Sequence, residues 1–180
     1  MAAPLQLIEV TDEPAFMPRI AELRAEAWRP HITMDNQFTA EWTDSFDPVA
    51  RHWVILDNDI LAASARLSVH QRWEEVPDSE VYGGLFKSAL PSPVASMNRL
   101  VVSPRYRGRG LSTRLDHVRL DAARRAGCRC VLGHTHAGDK RLTQLESEGF
   151  RVLGTAKPNE HGFLKGLTGV VIYLDSLKDP

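Results

Sequence analysis

Leu100-Val101-Val102-Ser103-Pro104-Arg105-Tyr106-Arg107-Gly108-Arg109-Gly110-Leu111-Ser112 is the stretch that decides the fold. Its apolar start is typical of a buried strand, and the amphipathic residues after Gly110 are typical of a helix. Helix N-termini present outward N–H groups with partial positive charge, and glycine lets a backbone approach a ligand closely. Because arginine donors match phosphate oxygens, the turn is predicted to hold a phosphate or pyrophosphate.

Length and charge limit the kinds of protein this chain can be. Its 180 residues are predicted to form a single domain, residues 1–180, and a formal net charge of -1 predicts no nucleic-acid partner. Eight arginines lie between Arg105 and Arg129, where only Asp116 and Asp121 oppose them. A positive patch of that size favours an anionic cofactor over a polymer.

Targeting and metal signals are weak in this sequence. No apolar run approaches the ~20 residues of a membrane span, and residues 1–10 do not resemble a signal peptide. Cys128 and Cys130 do not form a disulfide framework, so a cytoplasmic protein without a membrane partner is predicted. No metal site is predicted either, because residues 128 and 136 of one strand would lie about 26 Å apart at ~3.3 Å per residue.

Hydrophobic spacing predicts alternating strands and helices. Strands are expected at residues 5–10, 51–56, 60–69, 94–102, 128–134, 150–153 and 170–174. The second and third should form a hairpin around Asp57-Asn58-Asp59. Residues 71–93 are expected to be a long connection or a flap, and residues 154–169 are expected to be another connection.

Three helices are predicted, with a short helix or loop at residues 31–47. The first has Asp12 as N-cap, Pro14 in its first turn and Pro30 at its end. The second ends at Gly127 and has a buried stripe of Leu111, Leu115, Val118, Ala122 and Ala126. The third follows Asp139, turns Leu142 and Leu145 inward, and ends at Gly149.

The R-x-x-G-x-G pattern of Arg105, Gly108 and Gly110 resembles that of the GNAT superfamily of acyl-CoA-dependent N-acyltransferases. A second match is Leu145-Glu146-Ser147-Glu148-Gly149-Phe150, and the order of elements fits over nearly the whole chain. The resemblance implies an α/β (α+β) fold. Its mixed, mostly antiparallel central sheet would have six to seven strands and about four flanking helices. It also implies an N-acetyltransferase that uses acetyl-CoA, or another acyl-CoA, as co-substrate.

The resemblance also implies which residues bind the cofactor. Amides of residues 106–112 would hold the CoA pyrophosphate, and the edge of residues 100–102 would pair with pantetheine. The implied set is Leu100, Val101, Val102, Arg105, Tyr106, Arg107, Gly108, Arg109, Gly110, Leu111, Ser112 and Thr113.

Direct acyl transfer requires a base, an oxyanion donor and a proton for the leaving thiolate. A backbone N–H of Val101 or Val102 is the expected oxyanion donor. The family often has a tyrosine acid where Leu145 stands, so Ser147, a water or no acid remain open. The family's strand carboxylate is replaced by Asn98, which could position a water or the acceptor. His134 has a pKa range that suits a base; hydrogen bonding at a strand end is its alternative.

The acceptor is expected to be a primary amine of a small molecule or peptide. Trp42, Arg66 and Arg99 are the candidate substrate-binding residues, and Arg66 would hold a carboxylate or form a surface ion pair. Two alternatives stay open. Residues 98–102 resemble acyl-homoserine-lactone and N-acyl amino acid synthases, which favours a longer acyl chain; a non-catalytic acyl-CoA sensor is the other. A homodimer through an exposed strand at residues 170–174 is a further expectation.

Overall fold

The computed structural model describes residues 4–28, 42–86, 89–136, 138, 140–157 and 166–174. Within these residues the chain has seven strands and three α-helices. In chain order they are β1 Gln6–Glu9, α1 Phe16–Trp28, β2 Arg51–Asp57, β3 Ile60–His70, β4 Val94–Val102, α2 Leu111–Arg125, β5 Cys130–His136, α3 Lys140–Ser147, β6 Arg151–Thr155 and β7 Leu167–Tyr173. The strands form one sheet in the order β1-β2-β3-β4-β5-β7-β6.

The predicted fold class is confirmed. The sheet is mixed, because β4 and β5 run parallel while the pairs β1–β2, β2–β3, β5–β7 and β6–β7 run antiparallel. Seven strands match the expectation, and the described residues contain one α-helix fewer than the four expected. The contacts divide the chain into two compact units, so a single domain over residues 1–180 stays a prediction.

The first unit comprises Met1–Leu67 and Arg99–Arg119. The predicted hairpin is confirmed: β2 and β3 pair up to Asp57 and Ile60, and Asn58 between them has a φ of 51°. Its core contains Val10, Ile20, Leu23, Ala27, Val54 and Val101.

The start of α1 differs from the prediction. The helix begins at Phe16, after turns in which Glu13 N–H donates to the Val10 carbonyl and Phe16 N–H to the Glu13 carbonyl. Asp12 lies inside these turns and therefore is not the N-cap. The expected helix end at Pro30 lies outside the described residues, as does most of the expected short helix or loop at residues 31–47.

The second unit comprises Ser68–Asn98 and Leu120–Pro180. Here β4 and β5 pair through Val94 to Ser96 with Cys130 to Leu132. The expected flap is a packed connection, with single 3-10 turns at Trp73–Glu75 and Ser79–Tyr82. Its side chains Val76, Val81 and Tyr82 are fully buried against β4, β5 and β7. Those apolar residues therefore belong to the core of this unit.

The ends of two helices follow the glycine prediction. Gly127, with φ of 73°, ends α2; its N–H donates to the Arg124 carbonyl, and Cys128 N–H donates to the Ala123 carbonyl. Gly149, with φ of 96°, ends α3 with the equivalent pair of bonds. Positive φ is accessible to glycine without a steric penalty, so both helices end in Schellman motifs.

The buried face of α2 differs from the predicted stripe. Leu111, Leu115 and Ala122 are buried as expected, but Val118 is only half-buried. Ala126 is exposed because the helix ends one residue earlier, at Arg125. Polar side chains share the buried face, as the site description below details.

The prediction of an exposed late strand is wrong. β7 lies between β5 and β6 and pairs with both, and Val170 and Val171 are buried. A homodimer therefore cannot form by adding a strand at β7. Among the described residues, none of the helices is long and apolar enough to cross a membrane.

Candidate functional site

The basic turn is anchored by the β2–β3 hairpin. After β4 ends at Val102, Ser103 N–H donates to the Ala62 carbonyl over 2.9 Å, and Pro104–Tyr106 forms one 3-10 turn. The buried Tyr106 then donates its hydroxyl to Asp57 Oδ2 over 2.9 Å. Two contacts with one hairpin thus fix the start of the turn.

Two glycines give the turn its open backbone. Gly108 and Gly110 have φ of 76° and 72°, in the left-handed region that favours glycine. A Cβ built on either would meet no atom within 4 Å, so the space beside this backbone is open. The hydrogen bonds of α2 start where Arg114 N–H donates to the Gly110 carbonyl, and the first amides of any helix have no acceptor within the helix.

The arginines of the turn stand in solvent. Arg105, Arg107 and Arg109 are exposed; Arg109 lies over the Tyr106 ring at 5.1 Å, and Arg107 donates to the Ala27 carbonyl over 3.3 Å. Their guanidinium groups have donors of the kind that bind phosphate. Open backbone beside exposed cations at a helix start fits a pyrophosphate.

Part of the predicted positive patch is neutralised within α2. Arg119 donates to Asp116, and both side chains are buried. Arg119 also donates to the Arg66 carbonyl over 3.1 Å, so Arg119 forms hydrogen bonds within the protein interior. At the surface, Arg124 pairs with Asp121 over 3.0 Å. Both neutralised arginines lie outside the turn, so the turn keeps the charge of its three arginines.

A second cluster of charged side chains lies inside the first unit, and we call it the arginine–aspartate cluster. Arg24 from α1 and Asp47 form two parallel hydrogen bonds of 3.0 Å. Arg66 from β3 donates to Asp47 over 2.9 Å and also to Asp44. Arg99 from β4 donates to Asp44 Oδ2 through Nη2 over 2.9 Å and through Nε over 3.2 Å.

Burial and pairing shift the pKa values in this cluster. Burial raises the pKa of Asp44, but hydrogen bonds and charge from Arg66 and Arg99 outweigh it and lower the value to about 2. Burial likewise opposes ionisation of Asp47, but Arg24 and Arg66 hold its pKa below the ordinary value. Burial lowers the pKa of Arg24 and also that of His52, whose Nε2 lies 2.9 Å from the Asp47 carbonyl oxygen. Both aspartates are therefore ionised at neutral pH, while His52 is neutral.

The three predicted substrate-binding residues all belong to this region. Arg66 is fully buried, so the prediction that its ion pair lies at the surface is wrong. Arg99 lies over the Trp28 ring at 5.5 Å and has a φ of 52°. Trp42 lies with its ring 5.4 Å from that of Trp28, and its carbonyl accepts a hydrogen bond from Arg24.

Arg24, Asp44 and Asp47 were not predicted from the sequence. Arg24 does lie at helical spacing from Ile20 and Ala27, on the buried face of α1. An arginine on an apolar stripe is thus the signal that could have identified it. The two aspartates belong to a segment without hydrophobic periodicity, and no comparable signal marks them.

Two predicted catalytic residues lie in the second unit. Asn98 is buried and its amide nitrogen donates to Ser96 Oγ over 3.0 Å. His134, which is half-buried, lies with Nδ1 3.4 Å from the Tyr82 hydroxyl and Nε2 3.7 Å from Asp78 Oδ2. A carboxylate only accepts protons, so Asp78 favours the tautomer with hydrogen on Nε2. The Tyr82 hydroxyl then donates to Nδ1, because burial raises the pKa of this tyrosine and keeps it protonated.

Ser147, the third predicted catalytic residue, lies at the end of α3. It is exposed, and its hydroxyl donates to the Gln144 carbonyl over 2.7 Å. Leu145, the position at which the resemblance implies a tyrosine, is buried. Among the described residues, no group of three or more histidine, cysteine, aspartate or glutamate side chains could hold a metal ion.

This architecture is similar to that of a known protein family. Residues 17–146 match the model of the Acetyltransferase (GNAT) family. The fold is similar to that of yncA from Salmonella typhimurium, solved with its cofactor acetyl-CoA, at 18% identity and a TM-score of 0.68. That alignment covers 99% of this chain and 98% of the other.

Two further structures share the fold. One is Arabidopsis thaliana Naa50 in complex with the bisubstrate analogue CoA-Ac-MVNAL, at 13% identity and a TM-score of 0.65, covering 96% of this chain and 100% of that one. The other is FeeM, an N-acyl amino acid synthase from uncultured soil microbes, at 12% identity and 0.64, covering 94% and 92%. The search of curated proteins gave no match. The family match covers most of the chain, so this protein belongs to the Acetyltransferase (GNAT) family and is an acyltransferase.

Proposed function

We propose that this acyltransferase takes an acetyl group from acetyl-CoA and transfers it to an amine of a small molecule or peptide. The observation that carries the proposal is the turn between β4 and α2, where Gly108 and Gly110 hold an open backbone beside three exposed arginines. Family membership supports the reaction class, and two proteins of the same fold were solved with acetyl-CoA or a CoA analogue.

Residues of the turn would bind the CoA diphosphate. Main-chain amides from Tyr106 to Ser112 would donate to it, with Leu111 and Thr113 at the helix start beside them. Arg105, Arg107 and Arg109 would neutralise its charge. The edge of β4 at Leu100, Val101 and Val102 would pair with the pantetheine amides. An acyl-CoA supplies an activated thioester carbonyl, and an N–H of Val101 or Val102 would stabilise negative charge on its oxygen.

His134 is the candidate base. A protonated amine has no lone pair for attack, so a group must accept its proton. His134 would take that proton on Nδ1, in place of the hydrogen bond that Nδ1 accepts from the Tyr82 hydroxyl, and Asp78, 3.7 Å from Nε2, would stabilise the imidazolium that results. Asn98 would orient the acceptor or a water.

The acid for the leaving thiolate is a weaker requirement. A thiol has a pKa near 8.5, so it leaves readily without full protonation. Ser147 donates its proton to the Gln144 carbonyl, which makes water the better candidate in our proposal.

A longer acyl donor is the second candidate function. It is supported by residues 98–102, which resemble N-acyl amino acid synthases, and by the fold shared with FeeM. Comparing acetyl-CoA with octanoyl- and palmitoyl-CoA would separate the two donors, because the preferred chain should raise kcat/KM.

Release of free CoA thiol over a panel of amines tests the function directly. Wild-type protein should release thiol from acetyl-CoA only when an amine is present. His134→Gln should lower kcat by about 10²-fold or more and remove the acidic limb of the pH profile, along which a base is lost by protonation. His117→Gln, which changes an exposed histidine of α2, is the matched control and should behave as wild type. Absence of thiol release with every donor and amine would overturn the proposal.

A further inference from the structure

We propose that the arginine–aspartate cluster binds a carboxylate of the acceptor, through Arg99, so that the acceptors of this enzyme are amino acids or similar amines that carry a carboxylate. The inference rests on the proposed acyl transfer and specifies its acceptor. It needs only residues of the first unit, which supplies Arg24, Asp44, Asp47, Arg66 and Arg99.

The described side chains of the cluster have an excess of positive charge. Three guanidinium groups face two carboxylates, and the adjoining His52 is neutral because burial lowers its pKa. Buried charge is unfavourable unless it is paired. One anionic group from outside would balance the charges of these described residues.

Solvent access identifies the end of the cluster that a ligand can reach. The side chains of Arg24 and Arg66 are 1% and 0% exposed, whereas those of Arg99 and Asp44 are 27% and 24% exposed. Asp44 would repel an anion, so Arg99 is the contacting group. Its Nε and Nη2 both donate to Asp44 Oδ2, and no hydrogen bond joins its Nη1 to the described residues. A guanidinium has five N–H donors, so Arg99 retains capacity for a carboxylate.

The backbone of Arg99 gives a second, independent indication. Its φ of 52° lies in the left-handed region, which is strained for a residue with a side chain. Such strain persists where surrounding structure enforces it, and it clusters at functional sites. Arg99 directly precedes Leu100, the first residue of the edge that we propose for pantetheine. A carboxylate held by Arg99 would therefore place its amine near the acyl group.

Aromatic side chains give this site an apolar wall. Trp28 lies 5.5 Å below the Arg99 guanidinium, Trp42 packs against Trp28, and both are half-buried. An arginine beside half-buried tryptophans suits a carboxylate attached to an apolar group. Amino acids with apolar side chains combine these two features.

The buried pair inside α2 shows what a purely structural arrangement looks like in this chain. Arg119 and Asp116 balance one charge with one, and their side chains are 1% and 0% exposed. The arginine–aspartate cluster differs in both respects, since its described side chains carry one more positive than negative charge and it opens to solvent at Arg99.

Matched acceptors test the proposal: phenylalanine against phenylalaninamide, with thiol release from acetyl-CoA as readout. The carboxamide removes the charge while it makes the amine less basic, so amine basicity alone would favour the amide. We expect kcat/KM for the acid to exceed that for the amide by about tenfold or more. Equal values, or a preference for the amide, would overturn the inference.

Variants locate the effect. Arg99→Gln should abolish the preference for the acid, through KM more than kcat, and leave the Kd for acetyl-CoA unchanged; Arg99→Lys should restore part of it. Arg72→Gln, in an exposed ion pair with Glu75, is the control and should keep the full preference. A preference that survives in Arg99→Gln would contradict the assignment.

A binding measurement separates this inference from the proposed function. N-acetylphenylalanine should bind the wild type at least about tenfold more tightly than its carboxamide does. The Arg99→Gln variant should bind the two ligands with equal affinity. That difference supports the carboxylate site even if acetyl-CoA fails to bind, which would refute only the proposed function. Equal affinity of the two ligands for the wild type would refute the site even if acyl transfer is observed.

Discussion

The two arginine-rich regions of the first unit use the same residue type in opposite ways. In the turn between β4 and α2, Arg105, Arg107 and Arg109 stand in solvent beside an open glycine backbone. In the arginine–aspartate cluster, Arg24 and Arg66 are buried and bonded to aspartates. Water stabilises an exposed guanidinium, so its donors stay available for a ligand; a buried one must be paired within the protein. The comparison teaches that exposure, more than the number of arginines, distinguishes an arginine that can bind a ligand from one with a structural role.

The largest expected effect comes from breaking the buried region. Asp47→Asn removes the carboxylate that pairs with both Arg24 and Arg66 and leaves their charges uncompensated. We expect the free energy of unfolding to fall by roughly 3–5 kcal/mol. Denaturant unfolding measures it. Asp121→Asn, which breaks an exposed pair with Arg124, should cost less than about 0.5 kcal/mol. Similar losses in both variants would mean that burial does not distinguish the two kinds of pair.

The next effect concerns the exposed region. Arg105→Gln should weaken acetyl-CoA binding by about tenfold and reduce its dependence on salt, because one charged donor to the diphosphate is lost. Stability should not change. Arg125→Gln, at the other end of α2, changes another exposed arginine and is the control that should retain wild-type affinity. Titrations at two salt concentrations distinguish a local contact from a general loss of charge, which would affect both variants alike.

The local structure of the exposed region could be predicted from the sequence and the contacts of the buried region could not, for a physical reason. The turn is encoded locally: a β-strand run, two glycines that take positive φ and a helical stripe are all read within about 25 residues. The buried cluster joins Arg24, Asp44, Arg66 and Arg99 from segments far apart in the chain. Charged residues normally lie at the surface, so Arg66 was expected there, and only tertiary contacts reveal its burial.

Strand order shows the same limit. The apolar residues of β7 predict a strand correctly, but their spacing says nothing about neighbours. An edge position was therefore expected where the sheet places β7 between β5 and β6. Asp12 is predicted to be the N-cap only because of its residue type. The chain forms turns before Phe16, so the helix begins a few residues later than predicted.

A smaller effect tests the electrostatics around the cluster. Burial lowers the pKa of His52 in the folded protein below the ordinary value of 6.5 that it has in the unfolded chain. At pH values between these two pKa values, the unfolded chain therefore binds more protons than the folded one. Stability should therefore fall as the pH drops from 7 through 6.5, by up to about 1.4 kcal/mol per pH unit from this group. His52→Gln should flatten that slope, whereas the exposed His117→Gln should not. An unchanged slope in His52→Gln would show that other groups cause the pH dependence.

The smallest expected effect is at the anchor of the turn. Tyr106→Phe removes the 2.9 Å hydrogen bond to Asp57 while keeping the buried ring. We expect about 1 kcal/mol of lost stability and a loss of acetyl-CoA affinity of a few-fold. Thermal unfolding and calorimetry measure both. If affinity falls tenfold or more while stability is kept, the hydroxyl contributes to binding directly.

Isothermal titration of acetyl-CoA tests the central claim, that the turn between β4 and α2 binds acyl-CoA. Gly108→Asp with Gly110→Asp places side chains and negative charge where the diphosphate would lie. Gly84→Asp is the matched control, because Gly84 has the same φ of 76° as Gly108 and equally open space. We predict that the wild type and Gly84→Asp bind acetyl-CoA with similar Kd and that the double variant shows no binding at millimolar cofactor. Wild-type affinity in the double variant would contradict the claim.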